Sequence, residues 1–299
     1  MQLVTYRAET DNDGIRKIFP RWIGAWEGCR LHKLRFYCFK TDVVENGTNV
    51  TVHTVGKLIY DAVNTGFDVD TVYRVMHDGL LTVDMTVKPF GKMPCIVYDT
   101  PDPIDPLTPR LPRFGVCFRL NKEFHRVTWF GRGPDHNYED SISAAPIGKY
   151  TLPLDKMNFA YDVPQETGNR GDTRYAQIQN GDTNFTVYGN ETFAFSYHPW
   201  RLDALREAMH KSELREDANN YLYIDYKMRA LGSHSCGPNP ERELDFEPHD
   251  FEFVFAFNGE STDEPEYAFT DFGPKTKKLT EEYRYIPLTS EREAVECEQ

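Results

Sequence analysis

Apolar and polar residues alternate with a period of two over much of the chain. Residues 71–75 alternate in this way, a turn containing Asp78 and Gly79 follows, and residues 81–87 alternate again. An Asp-Gly turn between two alternating runs is a strong short-range signal for a β-hairpin. The same period recurs in residues 114–120 and 251–257. Strands of this kind bury one face, so the pattern predicts an all-β antiparallel sandwich.

Helical spacing is confined to two short segments. Residues 21–27 place Trp22 and Trp26 four positions apart, and residues 199–211 carry apolar residues close to helical spacing. A stripe of this kind normally packs against a core, so both segments are predicted to be helices that cover a sheet. Residues 94–112 contain six prolines and predict a long loop, because proline cannot pair in a central strand.

The strand pattern decays after residue 257. We therefore predict one domain over residues 1–257 and a C-terminal extension over residues 258–299. A late strand around residues 283–286 fits the extension, and four glutamates among the last ten residues indicate a flexible acidic tail.

Composition and charge argue against some classes of binding partner. The net charge is -13 and the isoelectric point about 5.2, which argues against a nucleic-acid binder and against docking on an anionic membrane. No apolar run approaches the length of a membrane span, and the N-terminus resembles no signal peptide, so a cytoplasmic location is expected. The six cysteines form no Cys-x-x-Cys pair, which argues against a zinc site or a disulfide scaffold.

The first candidate site contains Asp11, Asn12 and Asp13. Clustered carboxylates suit a hard cation, but Gly14 is the fourth residue from Asp11, whereas an EF-hand loop needs glycine at its sixth position. A turn in which Asp and Asn bond their own backbone is the simpler interpretation. No metal site is predicted.

The second candidate site follows the predicted strand at residues 221–226. It contains His234, Ser235 and Cys236, and a cysteine nucleophile needs a neighbouring base. Alternate residues of an extended loop point apart, so a Gly-rich turn is favoured over a catalytic dyad. The single Asn-Glu pair, residues 190–191, is predicted to lie in an exposed turn and to have no catalytic role.

Two turn-rich stretches carry a more specific resemblance. Residues 129–140 read Trp-Phe-Gly-Arg-Gly-Pro-Asp-His-Asn-Tyr-Glu-Asp, and residues 164–170 read Pro-Gln-Glu-Thr-Gly-Asn-Arg. Together they resemble the motifs of the C-terminal domain, or small chain, of glycoside hydrolase family 2 β-galactosidases. Three weaker matches accompany them in the family's order, at residues 7–13, 198–200 and 232–238.

The resemblance implies a galactose-mutarotase-like supersandwich. It further implies that Asp11, Asn12 and Asp13 approach the substrate, and that Cys236, with Ser235 and His234, forms part of the galactose pocket wall. His136 stands where the family usually has Glu, and Ser141 where it has Arg, so the contact of that Arg is not expected here.

In the family the two catalytic carboxylates belong to a barrel domain, whose pattern this chain lacks. The expected function is therefore a non-catalytic β-galactosidase domain that closes the substrate pocket and is inactive alone. Its expected partners are the barrel domain or large subunit and a galactoside, within an oligomeric enzyme. No cofactor is expected in this chain, whereas the family often holds Mg²⁺ and Na⁺ or K⁺ in other domains. The alternative is an autonomous carbohydrate-binding or aldose-1-epimerase-like domain.

Overall fold

The computed structural model describes residues 1–14, 21–96, 108–181, 183–232 and 240–260. The predicted site residues His234, Ser235 and Cys236 lie outside these ranges. So do most of the predicted proline-rich loop and nearly all of the predicted C-terminal extension.

The described residues form twelve strands and two short α-helices. The helices are α1 (Arg21–Gly28) and α2 (Leu202–Glu207). The strands are β1 (Gln2–Val4), β2 (Arg35–Asn46), β3 (Asn49–Ile59), β4 (Thr65–Val75), β5 (Leu81–Gly91), β6 (Arg113–Asn121), β7 (Arg126–Arg132), β8 (Ile147–Pro153), β9 (Arg170–Asn180), β10 (Thr183–His198), β11 (Asn219–Met228) and β12 (Phe251–Glu260).

All recorded strand pairs are antiparallel, and the long strand β10 organises them. Its first half lies between β9 and β12, and its second half pairs with β11. One branch continues from β12 through β5, β4 and β3 to β2, and the other continues from β11 through β6 to β1. Strands β7 and β8 extend the sheet beyond β9. The prediction of an all-β antiparallel supersandwich with two short helices is confirmed.

The core lies between the two branches. Phe114 of β6 contacts Phe67 of β4 and Phe251 of β12 edge to face, with ring centroids 5.2 Å and 5.0 Å apart. Both branches contribute fully buried side chains such as Val83 and Leu222. The alternating segments predicted at residues 71–75, 81–87, 114–120 and 251–257 all lie in strands that line this core.

The first predicted helix is confirmed and the second is shorter than predicted. Trp22 and Trp26 of α1 are both buried in the core. Helix α2 ends at Glu207, because Ala208 is extended and the N–H of Met209 donates instead to the Glu213 carboxylate at 2.9 Å. Met209 is 48% exposed and does not pack in the core. Neither helix is long and apolar enough to cross a membrane.

Residues 190–191 form a bulge inside β10 and not a turn before it. The pairing with β9 shifts between Tyr188 and Phe193, where β10 changes partners. A Cβ at Gly189 would lie 2.0 Å from the carbonyl oxygen of Glu191, so glycine lets the chain close on itself here.

Candidate functional site

A buried set of ion pairs joins the bases of the two predicted loops. This loop-base cluster consists of Arg7, Asp13, Arg110, Arg229 and Asp245. Arg7 donates to Asp13 at 2.7 Å, and Arg229 donates to Asp245 at 2.6 Å and lies 3.4 Å from Asp13. Arg110 donates to the second oxygen of Asp245 at 2.6 Å. The cluster therefore connects the first predicted site to the end of the strand that leads to the second predicted site.

The cluster is almost free of solvent exposure. All five side chains are at most 4% exposed, and the indoles of α1 lie against the guanidinium groups. The Arg229 guanidinium lies 4.8 Å from the Trp22 ring centre, and that of Arg7 lies 5.6 Å from Trp26. Burial lowers the pKa of Arg229, and the carboxylates of Asp245 and Asp13 oppose this shift. The charges are stabilised by mutual hydrogen bonds and aromatic faces in place of water.

Asp11, Asn12 and Asp13 form the turn that their own chemistry predicts. The second carboxylate oxygen of Asp13 accepts hydrogen bonds from the N–H and hydroxyl of Thr10 at 3.0 and 3.1 Å. Asp13 is fully buried, Asn12 is half-buried, and Asp11 is exposed at the tip of the turn. The turn therefore presents Asp11 to the outside, while Asp13 holds the turn to Arg7.

The second predicted loop begins at Gly232, the last described residue before it. The N–H of Gly232 donates to the Asp140 carboxylate at 2.6 Å, and its φ of 113° lies where glycine is favoured. On the other side of this strand end, the Arg7 guanidinium donates to the carbonyl oxygens of Arg229 and Ala230. The segment that leads towards His234, Ser235 and Cys236 is thus fixed from both sides.

The motifs at residues 129–140 and 164–170 pack as one buried unit. The Asn169 side chain donates to the carbonyl oxygen of Asn137 at 2.7 Å, and the N–H of Asn137 donates to the carbonyl oxygen of Asn169 at 2.8 Å. The Asn137 side chain accepts from the N–H of Gly171 at 2.9 Å. The Arg170 guanidinium lies 5.4 Å from the Trp129 ring centre. These motif residues therefore build the platform from which Asp140 reaches Gly232.

Beneath this platform lies a second buried polar group. Arg113 makes two hydrogen bonds of 2.7 Å to Asp225, and Glu166 is 1% exposed and bonded to the Tyr138 hydroxyl at 3.4 Å. Burial raises the pKa of Glu166 to about 7, although the charges of Arg113 and Arg7 oppose the shift. Such a carboxyl group is partly protonated at neutral pH.

His198 lies beside this group in the interior. It is 2% exposed, and burial with the nearby Arg113 and Arg170 charges lowers its pKa to about 3. A general base must reach the proton that it removes, so an epimerase reaction at His198 would need the protein to open. The described residues provide no observation that favours the epimerase-like alternative.

One cavity in the described part of the protein lies away from these groups. It has a volume of about 280 Å³ and lies between β1 and α2, with Tyr6, His32 and Arg206 among its lining residues. A smaller hollow of about 80 Å³ lies next to Asp140, lined in part by Glu139 and Lys227. The described residues contain no group of three or more His, Cys, Asp or Glu side chains that could hold a metal ion.

The family model described as "Beta galactosidase small chain" matches residues 1–257. The chain belongs to the β-galactosidase small-chain family.

Curated relatives are β-galactosidases that are much longer than this chain. The enzyme of Staphylococcus xylosus is 30% identical over 250 residues, which cover 84% of this chain and 23% of the relative. The enzymes of Actinobacillus pleuropneumoniae and Kluyveromyces lactis are 27% and 28% identical over 84% of this chain, and over 22% and 23% of their own lengths. This small-chain family member therefore spans less than a quarter of these relatives.

Solved structures with some similarity include a galactose mutarotase related enzyme of Lactobacillus acidophilus. It is 11% identical, with a TM-score of 0.34, over 76% of this chain and 73% of that chain. A heparan sulfate lyase of Pedobacter heparinus is 6% identical, with a TM-score of 0.33, over 79% of this chain and 23% of that chain. Similarity at this level supports no argument about the activity of the small-chain family member.

Sequence reasoning missed the loop-base cluster. Arg7 and Asp13 lie inside a recognised motif, but Arg110, Arg229 and Asp245 belong to none. Charged residues in loop-like sequence are normally exposed, so no local pattern indicates that these three are buried. The positions of His234, Ser235 and Cys236 relative to substrate stay predictions.

Proposed function

We propose that this chain is a non-catalytic part of a β-galactosidase and helps to close the galactoside pocket of a barrel domain outside the chain. The observation that carries the proposal is the family match over residues 1–257, combined with relatives more than four times the length of the matched segment. In this proposal the hydrolytic carboxylates belong to the part of the enzyme that the chain does not contain.

The loop-base cluster supports this role. Residues that close a pocket in another domain must be held firmly, because small displacements weaken substrate binding and orientation. The cluster binds the turn at Asp11 to the strand end before Gly232 through the pair Asp13–Arg229. We propose that Asp11, Asn12, Ser235, His234 and Cys236 face the substrate.

Within the proposal, Asp13 acts by holding the turn, since its carboxylate is already bonded to Arg7 and Thr10.

The proposal extends to the surroundings of the enzyme. We place the complete protein in the cytoplasm, as an oligomer, on the basis of the acidic composition and the family resemblance. The Mg²⁺ and Na⁺ or K⁺ ions of the family would be held by other domains.

A chimeric enzyme tests the proposal. In it, this chain replaces the matching segment of the Staphylococcus xylosus β-galactosidase. We expect the chimera to hydrolyse an aryl β-galactoside and the isolated chain to show no turnover. Hydrolysis by the isolated chain that is lost on changing one of its own residues would contradict the non-catalytic role. Interconversion of galactose anomers by the isolated chain would support the epimerase-like alternative instead.

Cys236 provides the test at residue level. In the chimera we expect Cys236→Ser to leave kcat and KM nearly unchanged. Cys236→Trp adds an aromatic surface to the proposed pocket wall and should change KM or substrate preference by about 10- to 200-fold, or roughly 1–3 kcal/mol. A collapse of kcat in Cys236→Ser at constant KM would instead indicate a nucleophile.

A further inference from the structure

Strands β2 to β5 present two faces of opposite character. Their outer face carries cross-strand ion pairs: Lys57 lies 3.1 Å from Asp68, and the His53 imidazole lies 2.7 Å from Asp70. These side chains are between 36% and 49% exposed, and each pair joins strands β3 and β4. Where these ion pairs lie, on β3 and β4, the outer face is an ordinary solvated surface, although Tyr37 and Val44 of β2 are also exposed on it.

The inner face of the same strands is apolar, and its burial decreases towards β2. One row of paired residues runs from Val83 of β5 through Tyr73 and Val52 to Val43 of β2. Val83 is fully buried, Tyr73 and Val52 are half-buried, and Val43 is 59% exposed. Phe36 and Val75, at 40% and 38% exposure, lie on this same face.

The core of the protein thus continues onto a face that the described residues leave uncovered. Tyr73 packs against the main core cluster, so the exposed valines extend an existing apolar layer. Strand β2 is twelve residues long, and its recorded pairing is with β3 alone. Contiguous apolar surface at a long edge strand normally marks a contact site.

We propose that the inner face of β2 and β3 is an interface covered by an apolar, β-structured segment of the β-galactosidase polypeptide outside this chain. This inference rests on the proposed function, because it takes the partner from the larger enzyme. More than three quarters of the Staphylococcus xylosus relative lies outside the matched segment, which leaves ample chain to supply a covering layer.

The chemistry of the face indicates the kind of segment. Phe36, Val43, Val50, Val52, Tyr73 and Val75 give it a flat surface of aromatic and β-branched side chains. Two sheets pack face to face through such side chains at a separation of about 10 Å. In the part of this face that β2 contributes, the one charged residue that the structure describes is Glu45, near the end of the strand. The face therefore offers little charge to complement an acidic or a basic partner.

Thiol labelling at two neighbouring positions tests the interface. Val43 and Val44 are the same residue type and are 59% and 60% exposed, but they lie on opposite faces of β2. Val43→Cys and Val44→Cys are made in the isolated chain and in the chimera, and the labelling of each peptide is followed by mass spectrometry. We expect the chimera to slow labelling of Val43→Cys at least 10-fold and to change labelling of Val44→Cys much less.

Equal labelling of Val43→Cys in the chimera and in the isolated chain would overturn the interface. Equal slowing of both variants would also overturn it, because the contact would then be made by the strand edge and not by the face. The isolated chain is labelled below the concentration at which it begins to scatter light, and protection already present there would assign the face to residues of this chain outside the described ranges. Protection that appears in the isolated chain only as its concentration rises, and is absent from the chimera, would assign the face to a second copy.

Hydrolysis by the chimera is measured separately. Protection of Val43→Cys in an inactive chimera would support the interface and contradict the proposed function. Hydrolysis without protection of Val43→Cys would support the proposed function and overturn the interface.

Discussion

At the scale of single residues, the loop-base cluster shows how buried charge fixes a surface loop. Asp13 is the only carboxylate in the cluster that contacts both Arg7 and Arg229. Without the Asp13 carboxylate, the two buried guanidinium groups would have less negative charge beside them. Breaking a buried pair from one side is strongly destabilising for this reason.

We therefore expect Asp13→Asn to lower the free energy of unfolding by about 3–5 kcal/mol. Asp11→Asn is the matched control, because Asp11 lies two residues away and is exposed. The control should change stability by no more than about 0.5 kcal/mol. Urea unfolding of both variants measures the difference, and equal stabilities would show that Asp13 does not hold the turn.

Glu166 makes the free energy of unfolding depend on pH. Burial raises its pKa to about 7, above the value near 4.5 expected for the unfolded chain. Between these two pKa values the folded state therefore keeps a proton that the unfolded state has lost. The stability that this proton contributes is present at low pH and is lost as the pH rises through 7. The full effect corresponds to about 3 kcal/mol.

Glu166→Gln keeps the shape of the side chain and removes the titration. We expect the stability of the wild type relative to this variant to fall between pH 5 and pH 8, as measured by urea unfolding at each pH. Buried His198 titrates in both proteins and cancels in the comparison. A difference that stays constant with pH would show that Glu166 is not protonated in the folded state.

At the scale of elements, close strand contacts explain one glycine of the longest motif. Gly131 of β7 lies against β9, where a Cβ would be 2.6 Å from the Thr173 hydroxyl and 2.8 Å from its Cα. One of these neighbours is backbone, so the contact is not relieved by rotating a side chain. The strands would have to separate.

Gly131→Ala should accordingly destabilise the protein by about 1–3 kcal/mol. Gly28→Ala is the control, because Gly28 ends α1 and a methyl group added there would have nothing within 4 Å. We expect this control to be neutral or slightly stabilising, since alanine favours helix. Thermal melts of the two variants that coincide would argue against the tight β7–β9 contact.

At the scale of the whole molecule, the inner face of β2 and β3, which the described residues leave uncovered, should govern solution behaviour. The net charge of -13 would favour a monodisperse monomer, but exposed apolar surface favours association. We expect the isolated chain to bind an apolar dye and to scatter light increasingly with concentration. Val43→Lys should reduce both signals more than Val44→Lys does.

A monodisperse, dye-free solution at high concentration would contradict this expectation. Equal effects of the two lysine variants would show that a general change in charge, and not the inner face, controls the association.

The sequence by itself determined several of the strands, the fold class and the family. Period-two alternation is a local property, so residues 81–87 and 251–257 predict strands without knowledge of their partners. The motifs at residues 129–140 and 164–170 are contiguous, so they identify the family directly. The turn at Asp11 was also predictable, because its hydrogen bonds join residues three apart.

Tertiary structure decided which distant residues come into contact, where α2 ends and which faces are covered. Asp13 and Arg229 are 216 residues apart in the chain, and no local rule brings them into contact. The end of α2 at Glu207 depends on where the following residues find hydrogen bonds, and propensity alone extended the helix too far. Whether an apolar face is covered depends on which layer lies opposite, so no local pattern predicts that the inner face of β2 is exposed.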